Sequence, residues 1–229
     1  MNKEMLKTSL ILMIYTLVAG IALSLVYTIT EDKIGNAELE NTITAMKYVL
    51  TDENGNQVIP SEEIEKTVSG KSSEMGNVLY TDNIGTVNSP VYEFASGDTK
   101  YYVLTGYAPG YGGNVITMAS FKYENGELSL YAIKVLDYSQ ETPGLGAKIA
   151  DENIQKRFYP IPENGLSNGI KVDKDAGKQA LSPEEAKSQG VVKVSDVMTG
   201  ATITPRAVSN SLNAMYNYLK KEYLQGGAN

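Results

Sequence analysis

The first strong pattern along the chain is an uncharged, mostly apolar segment that runs from Thr8 to Thr30. Its 23 residues would form a helix long enough to cross a hydrocarbon core of about 30 Å. A cleaved signal peptide has a shorter apolar region that ends in a site of the A-x-A type. Here the apolar run continues past Ala22 without such a site. The pattern therefore predicts a single membrane-spanning helix that is retained.

Charged residues on either side of this segment predict its orientation. Lys3 and Lys7 precede it, whereas Glu31 and Asp32 follow it. Because the cytoplasmic flanks of membrane helices carry an excess of lysine and arginine, we expect the N-terminus in the cytoplasm and the rest of the chain outside it. The cytoplasmic stub and the anchor would together comprise residues 1–33.

The remainder of the chain divides into two predicted regions. Residues 34–95 combine a loosely helical stalk with a mixed, polar and variable segment, in which "SEEIEKTV" predicts a short capped helix. Residues 96–225 would form the main folded domain, which begins with strand patterns rich in Tyr, Val, Ile and Thr. These strand patterns occupy residues 99–107, 113–123 and 126–139. Asn125-Gly126 predicts a type I′ hairpin turn, and hence an antiparallel sheet.

Helical patterns follow the sheet. A helix is predicted over residues 147–159, a smaller one at "SPEEAKSQ", and a last strand at residues 191–194. After Pro205 the apolar positions repeat at helical spacing, which predicts a final amphipathic helix. Its apolar face would comprise Val208, Leu212, Met215, Leu219 and Tyr223. Gly226 and Gly227 would end it. The predicted fold class is therefore α+β, an antiparallel sheet with flanking helices.

Composition excludes several chemistries. The 229 residues include no cysteine and no histidine. Thiolate nucleophiles, disulfides, cysteine-ligated iron–sulfur clusters and histidine-based zinc sites are therefore excluded, and no metal site is predicted. The formal net charge of −7 argues against nucleic acid as a partner, because phosphates attract a basic surface. A redox cofactor, if there is one, would be organic or held by oxygen ligands.

The start of the final helix carries several small hydroxyl residues, in the stretch "DVMTGATITPRAV". Proline suits the first helical position, so Pro205 predicts Thr204 as the N-cap. The free N–H groups and the positive dipole end of a helix also bind phosphate, and Gly200 and Ala201 leave room for a large group there. Arg206 would add positive charge. The pattern therefore predicts either a plain helix cap or a phosphate site.

Two glycine-containing loops are further candidates for a binding site. "QETPGLGAKI", residues 140–149, combines a Pro-Gly turn with a second glycine, and such a loop can approach a planar ring closely. "GYAPGYGGN", residues 106–114, contains Tyr107 and Tyr111, whose rings could stack on or line a planar ligand. Each loop alone is also compatible with a plain connection between elements.

The stretch Asp196-x-x-Thr199-Gly200-Ala201-Thr202-x-Thr204 resembles the target motif of bacterial flavin transferase, D-x-x-[ST]-G-A-[ST]-x-T. In that family FMN is joined through its phosphate to the last threonine, which implies Thr204 as the site of covalent attachment. Val197 departs from the glycine that the family often has. "QETPGLGAKI" is similar to the E-T-P-G-L-G loop of the same flavin-binding domain.

The same resemblance implies a set of further contacts with the cofactor. The pocket for the phosphate and the ribityl chain would be formed by Thr199, Gly200, Ala201 and Thr202. The residues along the isoalloxazine ring would be Glu141, Thr142, Gly144, Leu145 and Gly146. The loop that carries Tyr107 and Tyr111 corresponds to a glycine-rich turn that the family usually has before a strand. Asp196 would serve the modifying enzyme or its metal, or order the turn.

With these motifs combined, the chain resembles the G subunit of the Rnf electron-transport complex, whose domain is shared with the C subunit of the sodium-translocating NADH:quinone reductase. The resemblance covers the anchor and roughly residues 96–225. It implies an extracytoplasmic FMN-binding domain, anchored in the cell (inner) membrane by a single helix. There it would relay electrons within a ferredoxin:NAD+ oxidoreductase that couples electron flow to sodium or proton transport.

This resemblance also implies partners and leaves alternatives. The implied partners are the other membrane and peripheral subunits of the Rnf complex and, for maturation, a flavin transferase. The subunit alone would neither oxidise ferredoxin nor transport an ion. The alternatives are a free-standing extracytoplasmic flavin reductase, the equivalent subunit of a sodium-translocating NADH:quinone reductase, and a non-redox adhesion or sensor module on a stalk.

Overall fold

A computed structural model describes residues 3–224, apart from the side chain of Asp32. Its helices are α1 Lys3–Val49, α2 Ser61–Gly70, α3 Glu152–Gln155, α4 Glu163–Ser167, α5 Asp173–Ala176, α6 Pro183–Ser188 and α7 Ile203–Tyr218. Its strands are β1 Val78–Thr81, β2 Thr86–Ser96, β3 Thr99–Pro109, β4 Asn114–Glu124, β5 Glu127–Asp137, β6 Lys171–Val172 and β7 Val191–Val192. Residue 225 and the predicted helix end at Gly226 and Gly227 lie outside the described residues.

The chain forms two compact units, Met1–Thr42 and Ile43–Asn229. In the first unit the side chains from Lys3 to Ile29 are exposed, and most of them are apolar. Their helix, α1, is long and apolar enough to cross a membrane. The predicted spanning segment and the predicted stalk are thus parts of one continuous helix. The domain boundaries predicted after residues 33 and 95 stay proposals.

The second unit is built on a five-stranded antiparallel sheet with the strand order β1-β2-β3-β4-β5. The hairpin predicted between β4 and β5 is confirmed, because Asn125 and Gly126 have φ values of 54° and 86°, as a type I′ turn requires. β6 and β7 form a separate, parallel pair. β7 confirms the first two residues of the last predicted strand.

The sheet begins earlier than the hydrophobic pattern predicts. β1 and β2 lie within the segment that was predicted to be mixed and polar. β2 contains Asn88, Ser89 and Pro90, and its register with β3 shifts between Asn88 and Tyr92. Polar residues and proline are typical of turns, and a proline within a strand marks an edge or a bulge. The local signal was therefore weak, and pairing with β3 decides the conformation.

Of the three shorter helices that the sequence predicts, those at α2 and α6 are confirmed, and the one over residues 147–159 is wrong. α6 has a capping box between Ser182 and Glu185, as a stable short helix needs. α2 exists, but Pro60 precedes it and provides no side-chain cap. The helix predicted over residues 147–159 is instead divided into α3 and two flanking 3₁₀ turns. Asp151 interrupts it with extended backbone angles, φ −65° and ψ 127°.

The final helix, α7, packs on β3 and β4 and lies at the centre of the core. Its predicted apolar face is confirmed. Val208, Leu212 and Met215 of α7 have no exposed surface, and neither has Leu219, which begins the π-helical turn Leu219–Tyr223 that continues α7. Tyr223, at the end of that turn, packs partly buried against the core. Gly106 of β3 permits this close contact, since a Cβ there would lie 2.9 Å from the Thr86 carbonyl oxygen and 3.1 Å from Met215 Cγ.

Candidate functional site

The two motifs that the sequence suggested meet at a buried hydrogen bond. The hydroxyl of Thr204, in the first turn of α7, donates to Glu141 Oε2, although 63 residues separate the two. Thr204 is 1% exposed and Glu141 is 4% exposed. A buried carboxylate requires hydrogen-bond donors to offset its lost hydration. The contact therefore joins the start of α7 to the Pro-Gly turn at residues 142–146.

The third candidate loop, residues 110–113 between β3 and β4, completes this arrangement. The N–H of Tyr111 donates to Glu141 Oε1 at 2.8 Å, and that of Gly112 approaches the same oxygen at 3.4 Å. Glu141 thus accepts hydrogen bonds from two separate parts of the chain. Tyr107, by contrast, is half-buried on β3, where it pairs with Thr86 and Ile116. Of the two predicted tyrosines, Tyr111 is the one that joins the network around Glu141.

Two glycines leave the space that the Glu141 carboxylate occupies. A Cβ at Gly146 would lie 2.5 Å from Glu141 Oε2 and 2.6 Å from Thr204 Oγ1. A Cβ at Gly110 would overlap Glu141 Oε1 and lie 2.8 Å from Val115 Cγ2. Contacts this short require neighbouring atoms to move, so a larger residue at either position would displace the Glu141 carboxylate. Gly146 was predicted as a site residue, whereas Gly110 was not singled out within its loop.

The helix start differs from the prediction. The first N–H that donates along α7 is that of Arg206, at 3.3 Å from the Thr202 carbonyl oxygen, so Thr202 is the N-cap. Thr204 and Pro205 are the second and third helical residues. The prediction of Thr204 as the N-cap was wrong, because a proline is tolerated throughout the first turn, where N–H groups lack intrahelical acceptors. The N–H groups of Ile203 and Thr204 lie in this turn.

The surface above Thr204 is formed by the two motifs together. Gly200 has a φ of 84°, and a Cβ there would lie 3.9 Å from Leu145 Cδ2, with no closer contact. Leu145 is 44% exposed, Ile203 is 40% exposed and Tyr111 is 71% exposed. The predicted residues that are exposed here are Thr142, Gly144, Leu145, Thr199 and Gly200, whereas Ala201 is buried and Thr202 is half-buried. Exposed apolar side chains in one region indicate a binding surface.

The charged residues near this surface are paired. Asp196 forms an ion pair with Arg157, whose Nη1 lies 3.0 and 2.9 Å from the two carboxylate oxygens and also donates to the Lys193 carbonyl oxygen at 3.1 Å. The carboxylate of Asp196 thus anchors the turn that precedes α7. Arg157 carries no sequence signal for this role, because its partner is 39 residues away.

Arg206, predicted to add positive charge at the helix start, is bound by a carboxylate. Its Nε and Nη2 atoms donate to the two oxygens of Asp175 at 2.6 and 2.7 Å. The hydrogen bonds from Arg206 lower the pKa of Asp175 below its ordinary value of 3.8. The positive charge is therefore largely compensated, and the free N–H groups of the helix remain as the main donors for an anion.

This ion pair predicts a pH-dependent contribution to stability. Because the folded-state pKa of Asp175 is depressed, the contribution is complete above about pH 5 and is lost as the pH falls through 3.8 toward the lower folded-state value. Both side chains are partly exposed, so Asp175→Asn should lower the free energy of unfolding at pH 7 by at most about 1 kcal/mol. Urea titrations of both proteins at pH 7 and pH 3 should show this difference shrinking at pH 3. An equal difference at both values would contradict the assignment.

Comparisons with known proteins agree with this geometry. The family profile described as the FMN-binding domain matches residues 110–217, and the RnfG N-terminal region matches residues 1–49. The first of these matches includes the loop at 110–113, Glu141 and the start of α7. The second covers the whole of α1.

Individual relatives extend along nearly the whole chain. The G subunit of the ion-translocating oxidoreductase complex of Aliivibrio fischeri is 29% identical over 91% of this chain and 87% of its own length. The protein of the same name from Methanosarcina acetivorans is 24% identical over 96% of this chain and 97% of its own length. A crystal structure from Thermotoga maritima, described as an RnfG subunit of an electron transport complex, is 44% identical. It covers 78% of this chain and 95% of its own, with a TM-score of 0.65. The chain therefore belongs to the RnfG family, the G subunits of ion-translocating oxidoreductase complexes.

Proposed function

We propose that this chain is the electron-relay subunit of a membrane-bound, ion-translocating ferredoxin:NAD+ oxidoreductase complex, and that it carries FMN through a phosphoester to Thr204. The observation that carries the proposal is the position of the Thr204 hydroxyl. It lies in the first turn of a 16-residue helix, where three loops converge on one buried carboxylate. Such a position suits a phosphate group, and the match of residues 110–217 to the FMN-binding domain makes FMN the expected cofactor.

The residues at the helix start fit a phosphate. The N–H groups of Ile203 and Thr204 are available in the first turn, and the helix dipole favours negative charge there. Pro205 removes one further unsatisfied donor without cost to the helix. A phosphate esterified to Thr204 would accept hydrogen bonds that the protein itself leaves unmade at this end of α7.

The surrounding surface fits a planar, largely apolar ring. Leu145, Ile203 and Tyr111 expose apolar area around the helix start, and Gly200 leaves the surface open beside Leu145. The protein positions such a ring and sets its electrostatic surroundings, while bound FMN supplies the electron-transfer chemistry. Thr142 and Gly144 are exposed on the same turn, whereas Glu141 lies beneath it.

Covalent attachment requires access to a buried hydroxyl. Thr204 lies under the turn at residues 142–146, so we infer that this turn moves outward during loading. Gly144, at a φ of 75°, has no atom within 4 Å of a Cβ position and is free of side-chain contacts there. A turn with two glycines can change conformation at little steric cost.

The N-terminal unit supports a place in a membrane complex. An isolated helix with apolar side chains exposed around it is stable in lipid or against other membrane helices, and α1 has this character from residue 8 to residue 29. We propose that α1 anchors the chain with the N-terminus in the cytoplasm and the FMN domain outside it. The match of residues 1–49 to the RnfG N-terminal region favours a complex subunit over a free-standing reductase.

Purification from the native membrane tests this proposal. We expect the tagged chain to co-purify with multispan membrane subunits. Membranes in which the Thr204→Val variant replaces the wild-type chain should lose ferredoxin-dependent reduction of NAD+. The variant should still co-purify, because α1 is unchanged. Full NAD+ reduction by membranes with the assembled variant would show that covalent FMN at this site is not part of the electron path.

A further inference from the structure

We propose that Glu141 is the catalytic base for covalent attachment of FMN, so that this chain supplies part of the chemistry by which it is modified. The proposal rests on Thr204 as the attachment site. It assigns to Glu141 a role in maturation in addition to any contact with the bound cofactor. The contacts of its carboxylate and the chemistry of the hydroxyl beside it both support this role.

The two oxygens of the carboxylate have different partners. Oε1 is held by the Tyr111 N–H at 2.8 Å, and Oε2 accepts the hydroxyl hydrogen of Thr204. The first bond fixes the carboxylate plane, and the second leaves the remaining oxygen directly against the proton that must be removed. Gly110 and Gly146 confine it further, because a Cβ at either position would overlap one of its oxygens.

A base is needed because an alcohol is a weak nucleophile at neutral pH. A phosphoester forms in water only from an activated donor, and the donor class that fits is a flavin dinucleotide with a phosphoanhydride bond. The Thr204 Oγ1–phosphorus bond forms, and the phosphoanhydride bond breaks. The leaving nucleoside monophosphate takes the electron pair of that bond. The proton passes from Oγ1 to Glu141 Oε2, where it remains in the product.

The chain offers Glu141 as the group for this step. It has no histidine and no cysteine, and Glu141 is the carboxylate that contacts the Thr204 hydroxyl. In the product, the protonated Glu141 can donate a hydrogen bond to the ester oxygen or a phosphate oxygen. Protonation also avoids placing two negative charges together in a buried site. The same contact therefore serves the reaction and its product.

The substitution Glu141→Gln distinguishes proton transfer to this side chain from its role in positioning the Thr204 hydroxyl. The amide oxygen can still accept from the Tyr111 N–H, and the NH₂ group can donate to Thr204 Oγ1. The hydrogen bond is kept in reversed direction, but the side chain cannot accept the proton. The full-length apo chain in detergent would be mixed with saturating flavin transferase and flavin adenine dinucleotide. Intact-mass spectrometry would then follow the single-turnover rate of covalent loading.

We expect Glu141→Gln to lower the maximal loading rate by roughly 10²–10⁴-fold, the usual contribution of a general base. The transferase concentration that gives half the maximal loading rate and the melting temperature of the apo protein should stay close to those of the wild type. Glu152→Gln is the matched control. It changes an exposed carboxylate paired with Lys156 in the same region, and it should load at the wild-type rate.

The outcomes distinguish this inference from the proposed function. Loading of Thr204→Val would overturn the attachment site itself. If Thr204→Val does not load but Glu141→Gln loads at the wild-type rate, the role of Glu141 as the base is wrong and the attachment site stands. If Glu141→Gln lowers the melting temperature substantially, Gly146→Ala provides a second test, because its Cβ would separate the carboxylate from the hydroxyl. Wild-type loading by folded Gly146→Ala would overturn the proposal.

Discussion

Replacing Thr204 with valine is expected to abolish covalent FMN on this chain. Valine keeps the shape of threonine but lacks the oxygen that would form the phosphoester. The substitution also removes the hydrogen bond to Glu141, which should lower the free energy of unfolding by about 1–3 kcal/mol because a buried acceptor loses its donor. Loss of flavin therefore has to be separated from loss of fold.

The measurement is flavin fluorescence in the protein band of a denaturing gel, with intact-mass spectrometry of the same sample. Thr202→Val tests the neighbouring hydroxyl of the same motif. Its side chain makes no capping hydrogen bond, and the variant should still carry flavin on Thr204. Thr204→Ser retains an acceptor hydroxyl and should still carry flavin. A fluorescent Thr204→Val band, with the mass of bound FMN, would show that another residue is the attachment site.

Replacing Leu212 with alanine is expected to destabilise the folded chain more than any of the other substitutions. Leu212 is fully buried on the face of α7 that packs against the sheet. Truncating a buried leucine costs about 2–5 kcal/mol, because apolar contacts are lost and a cavity remains. In a domain of this size we expect the melting temperature to fall by roughly 4–20 °C. The residues around Thr204 should be unchanged, since the substitution lies two turns beyond Thr204.

Thermal unfolding of the full chain in detergent, followed by circular dichroism, measures this effect. Asn217→Ala provides a control on the half-exposed side of the same helix, where a change within about 0.5 kcal/mol is expected. A melting temperature for Leu212→Ala equal to that of the control would mean that α7 does not pack on the sheet as described. It would also remove the support for the position of Thr204.

Local patterns predicted those elements whose signals lie in neighbouring residues. The type I′ hairpin at Asn125-Gly126 needs only two residues that tolerate positive φ, and the face of α7 needs only apolar residues at helical spacing. β2 was missed because Pro90 and its polar neighbours resemble a turn, while the strand depends on pairing with β3. The first turn of α7 was misplaced for a similar reason, since a proline fits several positions of a first turn.

Local sequence patterns were enough to predict the α+β class, the long apolar helix, and the motif that resembles a flavin attachment site at Thr204. The surroundings of that threonine depend on how distant parts of the chain pack together. Glu141 was expected along the flavin ring, but the fold buries it against the Thr204 hydroxyl and fixes its other oxygen with the Tyr111 N–H. The physical reason is distance along the chain. Contacts between residues 30 and 63 positions apart depend on how β3, β4 and α7 pack, and spacing within a motif carries no information about that packing.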